Sequence, residues 1–203
     1  ASVFAPESAG VHPLLAAGFG AAMAARVETE RAVLADGDVR GVVIRPGLVY
    51  GHGGNSDLKS LIDRARKEGR AGHWGSGGTT QSYVHVDDLA DLFCLAAELA
   101  PHGASLHGVA DDVTVRDLAR AINRMIGTDE HTDSLSLLQM LGITADAVGN
   151  IGGSFTPPPS APSGISMSLN KRLSSDGTRE LLGWSPQRAD IWDDVAFGSY
   201  ASP

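Results

Sequence analysis

Polar residues that could do chemistry follow two β-branched segments of the chain. Tyr50, His52 and Asn55 come after one segment, and His85 ends the other, two positions beyond Tyr83. An imidazole can move a proton near neutral pH, and a phenol or an amide can hydrogen-bond a carbonyl or hydroxyl group. In open α/β sheets, ligands lie at the carboxyl ends of strands. The pattern therefore predicts that these side chains face a small organic ligand, although structural roles fit each of them equally well.

Two adjacent aspartates, Asp87 and Asp88, follow the second segment. Helix capping and the positive end of the helix dipole explain acids at such a place. We therefore predict that they cap a helix, rather than act as a catalytic carboxylate pair. None of the seven histidines has a metal-ligand spacing, such as two histidines four positions apart beside an acid. No metal is predicted.

The elements that must position these residues alternate between strands and helices in the first half of the chain. This alternation favours a parallel sheet covered by helices. A Thr114–Asp117 capping box starts one of the predicted helices, and Gly127 ends it. The other predictions are helices over 19–34, 56–68, 89–99, 134–141 and 191–200, a helix ending at 182, strands over 39–44 and 83–86, and irregular segments over 71–78 and 152–164.

Composition narrows the classes of protein. The chain has 203 residues and a formal net charge of -8, which argues against non-specific binding to nucleic acid or to anionic membranes. No apolar run approaches the roughly 20 residues of a membrane span. The first residues do not have the pattern of a signal segment, so we do not expect export. Cys94 is the one cysteine, which excludes an internal disulfide and fits a reducing cytoplasm. Its apolar neighbours predict a buried, unreactive thiol.

Three segments in order carry a resemblance to a family. Arg-Pro-Gly-Leu-Val-Tyr-Gly over 45–51, Val-His-Val-Asp-Asp-Leu-Ala over 84–90 and Leu-Gly-Trp-Ser-Pro over 182–186 resemble landmarks of extended short-chain dehydrogenase/reductases, the NAD-dependent epimerase/dehydratase proteins. The resemblance implies an α/β fold, with a Rossmann-type parallel sheet that binds NAD or NADP and a small, mainly helical C-terminal lobe for substrate. It covers only the later half of that architecture, so we expect the glycine-rich nucleotide loop to precede residue 1. We expect residues 1–127 to form the later part of the cofactor domain, with interleaved segments of the substrate lobe, and residues 128–203 to form further substrate-lobe segments and a final helix.

The family's reaction centre is a Ser, a Tyr and a Lys, the last two lying four residues apart on one helix. By resemblance, Ser2 takes the Ser position and Arg26 the Lys position, but Ala22 stands where the Tyr would be. Alanine has no proton to transfer, so the chain resembles atypical members. The resemblance implies that Ser2 polarises substrate oxygen and that the proton comes from His85, Tyr50 or water. Arg26 either contacts the cofactor ribose or is a solvated or ion-paired helix residue.

The same resemblance places Pro46, Gly47, Leu48 and Val49 beside the nicotinamide, although an ordinary strand-to-loop turn would explain them too. The segment 80–82 has no cation, which weakens a nucleotide-sugar substrate. We therefore expect an NAD(P)-dependent oxidoreductase or epimerase-like protein acting on a small carbonyl or sugar-type substrate. The alternatives are a non-catalytic NAD(P)-binding sensor or scaffold and a fragment completed by another chain. The resemblance also implies a homodimer through the helix that carries Arg26.

Overall fold

The computed structural model describes residues 13–35, 37–136, 172–188 and 190–201, with side chains from residue 24 onward. Within these residues, helices and strands alternate through most of the sequence. The helices are α1 (Pro13–Ala35), α2 (Ser56–Glu68), α3 (Val86–Leu99), α4 (Val115–Met125), α5 (Asp176–Leu182) and α6 (Ile191–Phe197). The strands are β1 (Val43–Pro46), β2 (Leu48–Tyr50), β3 (His73–Trp74), β4 (Thr80–His85), β5 (Ser105–Gly108), β6 (Asp111–Thr114) and β7 (Ser134–Leu135).

Strands β1 and β5 form a parallel pair, and their carboxyl ends coincide where Pro46 lies opposite Gly108. One apolar cluster covers this pair. It contains Leu92 of α3, Leu106 of β5, Leu182 of α5 and Trp184. A parallel pair needs a long crossover connection, and the segment that includes α2 and α3 supplies it between β1 and β5. The predicted parallel α/β arrangement is confirmed here.

A second sheet continues from the end of the first. Strand β2 lies parallel to β4, and β6 lies antiparallel on the other side of β4. Gly47 joins β1 to β2, and a Cβ at this position would lie 2.5 Å from the Ser82 carbonyl oxygen. Glycine is therefore required by the close approach of two backbones. A larger core cluster, with Tyr83, Leu118 and Ile191 among its members, packs behind this sheet.

Most predicted helices are present, with shifted ends. Helix α1 begins at Pro13 rather than at 19, and proline suits a first helical turn because its missing N–H is not needed there. Helix α2 ends at Gly69, which has a left-handed φ of 76°. The capping box at the start of α4 is confirmed, because the Thr114 hydroxyl accepts from the backbone N–H of Asp117.

Several strand predictions were wrong. Residues 39–42 form a turn and an irregular segment, so β1 starts at Val43, and Gly47 leads into another strand rather than a turn. Strands β5 and β6 were not predicted, because four residues give too little periodicity. Ser134 and Leu135 pair with β3 instead of starting a helix. Residues 137–141 of that segment, and the predicted loop over 152–164, lie outside the described residues.

The prediction that the thiol of Cys94 is buried was also wrong, because its side chain is exposed. The expected lack of reactivity stays a prediction. Helix α3 buries Leu89, Leu92 and Ala96 against the first sheet, and Cys94 lies on another face of the helix. An apolar neighbourhood in sequence therefore did not determine which side of the helix the thiol occupies. The proposed division at residue 127 stays a prediction.

Candidate functional site

The side chains of His52, His85 and Asp87 meet where β2 and β4 end. Tyr50 of β2 pairs with His85 of β4, and the loop after β2 brings His52 to the first turn of α3. His52 Nε2 lies 2.9 Å from Asp87 Oδ1, and His85 Nδ1 lies 3.7 Å from Asp87 Oδ2. The rings of His52 and His85 are 5.6 Å apart between centroids. The strand order therefore brings together residues 33 to 35 positions apart, 85 − 52 and 87 − 52.

The group combines exposed and buried positions. The side chain of His52 is 69% exposed, that of Asp87 38% and that of His85 only 9%. The hydrogen bond from His52 is the main reason that the pKa of Asp87 lies below its ordinary value, and nearby Arg188 acts in the same direction. Arg188 Nε lies 3.4 Å from Asp87 Oδ2. Asp87 is therefore a carboxylate that several cationic or hydrogen-bonding groups approach.

The two adjacent aspartates have different roles, which corrects the prediction that they cap α3. The N-cap of α3 is His85, whose Nδ1 accepts from the backbone N–H of Asp87 at 3.2 Å. Asp88 is buried and accepts from the backbone N–H groups of Gln187 and Arg188 at 2.9 and 2.8 Å. A buried carboxylate that accepts from two backbone donors fixes the distant segment to this helix. No local pattern in the sequence indicates those partners.

The cluster of His52, His85 and Asp87 has the composition of a metal-ligand set, with its three ligand atoms within 4.8 Å of one another. The prediction of no metal considered only spacing along the sequence. In the structure, the Nδ1 lone pair of His85 accepts a backbone N–H, and the carboxylate of Asp87 faces Arg188 as well as His52. A cation would have to displace these partners. The geometry therefore favours a hydrogen-bonded and ion-paired group.

The tyrosines and Asn55 are already engaged by the protein. The Tyr50 hydroxyl donates to the Arg188 carbonyl at 2.7 Å, and burial, together with nearby aspartates, raises its pKa. Tyr83 lies in the core with its ring edge against Tyr50. Asn55 donates to the Val49 carbonyl and accepts from the backbone N–H of Leu58. Substrate contacts by these three residues stay predictions, and a proton donor with a raised pKa is a poor substitute for the missing Tyr.

The residues expected beside the nicotinamide lie at the junction of the two sheets. Pro46 ends β1, Gly47 is the link, and Leu48 and Val49 begin β2; all four are partly exposed. Pro46 and Tyr50 are four residues apart along extended backbone, which corresponds to roughly 13 Å. The residues expected beside the nicotinamide therefore lie at one end of β2, and Tyr50, with the loop that carries His52, lies at the other end.

Arg26 is part of a charged group between α1 and β1. Its Nε lies 3.5 Å from Glu30, and its side chain is 56% exposed. Arg45 donates to Glu30 through both Nε and Nη2, at 2.9 and 2.6 Å, and this pair lowers the pKa of Glu30. The expected ion pair of Arg26 is present, and its contact with a cofactor ribose stays a prediction. Ser2 lies outside the described residues.

An open cavity of about 410 Å³ adjoins His85. Arg188 and Phe197 lie on its wall, and Phe197 is 76% exposed. Neither residue could be predicted from the sequence as part of this site, because each lies more than 100 positions from His85 and belongs to no motif. Asp190, Asp193 and Asp194 also line this cavity.

Comparisons with known proteins agree with this architecture. Residues 15–109 match the model of the NAD dependent epimerase/dehydratase family. The uncharacterized protein YLL056C of Saccharomyces cerevisiae is 27% identical over 174 residues, covering 84% of this chain and 52% of the yeast protein. UDP-glucose 4-epimerase of Mycolicibacterium smegmatis is 28% identical over 153 residues, covering 72% of this chain and 40% of the enzyme. The solved structure of human epimerase family protein SDR39U1 (isoform 2) with NADPH superposes with a TM-score of 0.58 at 20% identity, over 82% of this chain and 50% of the human chain.

Over residues 15–109 the chain is similar to the NAD dependent epimerase/dehydratase family, which supports the resemblance to extended short-chain dehydrogenase/reductases. The resemblance and the Rossmann-type fold predicted from sequence are confirmed, and NAD or NADP is the cofactor of that family. The chain spans about half the length of the curated relatives it matches. Among the described helices, none has the length and apolar character needed to cross a membrane.

Proposed function

We propose that this chain is the later part of an NAD(P)-dependent oxidoreductase or epimerase-like enzyme whose substrate is a small carbonyl or sugar-type compound. The observation that carries the proposal is the coincident end of two parallel strands at Pro46 and Gly108. Ligands of open α/β sheets occupy the crevice at such strand ends. The match to the NAD dependent epimerase/dehydratase family covers this segment and gives the ligand class.

In this proposal the cofactor supplies hydride chemistry, and residues of the chain bind and orient it. Gly47 leaves room for the close approach of β1 to β4, and the partly exposed Pro46, Leu48 and Val49 offer an apolar wall to the nicotinamide. Arg26 lies on α1 and pairs with Glu30 of the same helix, which also binds Arg45 of β1. A contact between Arg26 and the cofactor ribose is therefore part of the proposal.

In this proposal the substrate binds at the second sheet, where polar side chains meet beside an open cavity. His52 and His85 could hydrogen-bond a hydroxyl or carbonyl oxygen, and the carboxylate of Asp87 orients His52. A sugar-type substrate has such oxygens, and the relatives include an enzyme named UDP-glucose 4-epimerase. A substrate without a nucleotide agrees with the absence of a cation over 80–82.

A non-catalytic NAD(P)-binding sensor or scaffold is the alternative that one observation favours. Ala22 occupies the position of the family's Tyr, and the Tyr50 hydroxyl is committed to the Arg188 carbonyl with a raised pKa. Neither residue offers a ready proton donor. A homodimer through α1 is also proposed, because Val27 on that helix is 43% exposed. A cytoplasmic location is proposed from Cys94, the one cysteine of the sequence.

Calorimetry with NAD+, NADH, NADP+ and NADPH on the full natural polypeptide tests the cofactor proposal. We expect binding of one oxidised and reduced pair, weakened about tenfold by Arg26→Ala because one charged contact contributes roughly 1.4 kcal/mol. Arg31→Ala is the matched control, since Arg31 is exposed on the same helix. Absence of binding to all four nucleotides would overturn the proposal and its alternative. If Arg26→Ala and Arg31→Ala bind the nucleotide with equal affinity, Arg26 does not contact the cofactor.

A turnover assay then separates an enzyme from a sensor. The full polypeptide is incubated with the bound nucleotide and a panel of aldehydes, ketones and free or nucleotide-linked sugars, with NAD(P)H absorbance and sugar isomers as readouts. Conversion of any panel member that is lost in the His85→Phe variant supports the enzyme. Cofactor binding without any conversion supports the sensor.

A further inference from the structure

The turn after α6 binds the loop that carries His52. The Tyr200 hydroxyl oxygen accepts from the backbone N–H groups of Gly51 and Asn55, at 3.1 and 3.3 Å. The Ser199 hydroxyl accepts from the backbone N–H of Gly53 at 3.0 Å. Three backbone donors of one short loop are thus satisfied by two side chains that lie about 145 positions away.

The two hydroxyl groups are themselves fixed. Tyr200 is 4% exposed and belongs to the larger core cluster. Ser199 donates its hydroxyl proton to Asp194 Oδ2, and its backbone N–H donates to Asp194 Oδ1, both at 2.9 Å. Because the Ser199 proton is used by Asp194, its oxygen lone pairs are available to accept from Gly53.

The loop needs such support because its backbone is unusual. Gly51, His52 and Gly53 have φ values of 107°, 51° and 66°. Glycine adopts positive φ without penalty, whereas a residue with a Cβ is strained there by roughly 1 kcal/mol. Strained residues of this kind persist where the surrounding structure holds them. Among the described residues other than glycine, His52 alone has a positive φ.

We propose that Tyr200 and Ser199 are positioning residues, whose hydroxyl groups hold loop 51–55 in the left-handed conformation that sets the imidazole of His52 against Asp87. The C-terminal turn would then determine the geometry of a group more than 100 residues earlier in the chain. The inference goes beyond the proposed function, because it depends only on contacts within the protein and on no cofactor or substrate.

The test is an NMR measurement on the full natural polypeptide. The pKa of the Asp87 carboxyl is followed by carbon-13 titration, and the exchange rates of the loop amides are measured in parallel. Tyr200→Phe keeps the buried ring and removes only the acceptor. We expect at least tenfold faster exchange at Gly51 and Asn55, and a pKa of Asp87 that rises toward its value in His52→Ala. Tyr83→Phe, the same change at another tyrosine of that core, should leave both quantities at their wild-type values.

Ser199→Ala is the second variant, because Ser199 is exposed and its loss does not threaten folding. It should speed exchange at Gly53 and raise the pKa of Asp87 in the same direction. If Tyr200→Phe unfolds the protein, Ser199→Ala alone decides. Wild-type exchange rates and a wild-type pKa of Asp87 in the folded variants would overturn the proposal.

Discussion

The ends of β1 and β4 are fixed in different ways. At the end of β1, two backbones approach so closely that only Gly47 fits between them. At the end of β4, carboxylates bind distant parts of the chain: Asp87 meets His52, and Asp88 holds the backbone of residues 187 and 188. The conformation at the end of β1 therefore depends on steric fit, and that at the end of β4 depends on the contacts of charged side chains. They should therefore respond differently to mutation, to pH and to salt.

The largest effect is expected at the sterically determined end. Gly47→Ala would place a Cβ 2.5 Å from the Ser82 carbonyl oxygen and 2.8 Å from its carbon. Both are backbone atoms of β4 and cannot turn away as a flexible side chain would. We expect the free energy of unfolding, measured by urea denaturation, to fall by about 3 kcal/mol.

Gly177→Ala is the matched control, because nothing lies within 4 Å of a Cβ at this exposed position of α5. It should not destabilise the protein, since alanine has the higher helix propensity. A loss at Gly47→Ala no larger than at Gly177→Ala would contradict the close approach of the two backbones.

The second-largest loss of stability is expected at Asp88, next to the end of β4. Asp88 is 1% exposed, and both of its carboxylate oxygens accept from backbone N–H groups. Asp88→Asn keeps the shape of the side chain but replaces one of these oxygens by an NH2 group, which cannot accept. A buried hydrogen bond to a charged group that is lost in this way costs about 2 kcal/mol. Asp91→Asn, on the exposed side of the same helix, should change the free energy of unfolding by less than about 0.5 kcal/mol. Similar losses in both variants would mean that Asp88 does not hold the 187–188 segment.

Sequence reasoning succeeded where structure depends on local pattern. The helix starting at Val115 was predicted from its capping box, and the helix over 56–68 was predicted with the ends that α2 has. Residues 45–51 and 84–90 were recognised as landmarks of a family, and the match of residues 15–109 to the model of that family supports the resemblance. In each case the residues that determine the outcome lie within a few positions of one another.

It failed where the partner is distant. Nothing near Asp88 indicates that its acceptors are used by Gln187 and Arg188, so a local capping role was the natural prediction. The role of Tyr200 at Gly51 was missed for the same reason. Short strands such as β5 form because a neighbouring strand offers them hydrogen bonds. The hydrophobic pattern of four residues is too short to indicate that such a neighbour exists.

The smallest effect tests whether charge also contributes at the end of β1. Glu30 accepts from Arg45, and its folded-state pKa lies below the ordinary value of about 4.3. Its stabilising contribution is therefore complete above that ordinary value and disappears as the pH falls through the folded-state pKa. Glu30→Gln should lower the free energy of unfolding by about 1 kcal/mol at pH 7, and the difference from wild type should vanish in acid. Glu28→Gln, exposed on the same helix, should show no such pH dependence. A deficit in Glu30→Gln that persists below the folded-state pKa would show that the packing of Glu30, and not its charge, joins α1 to β1.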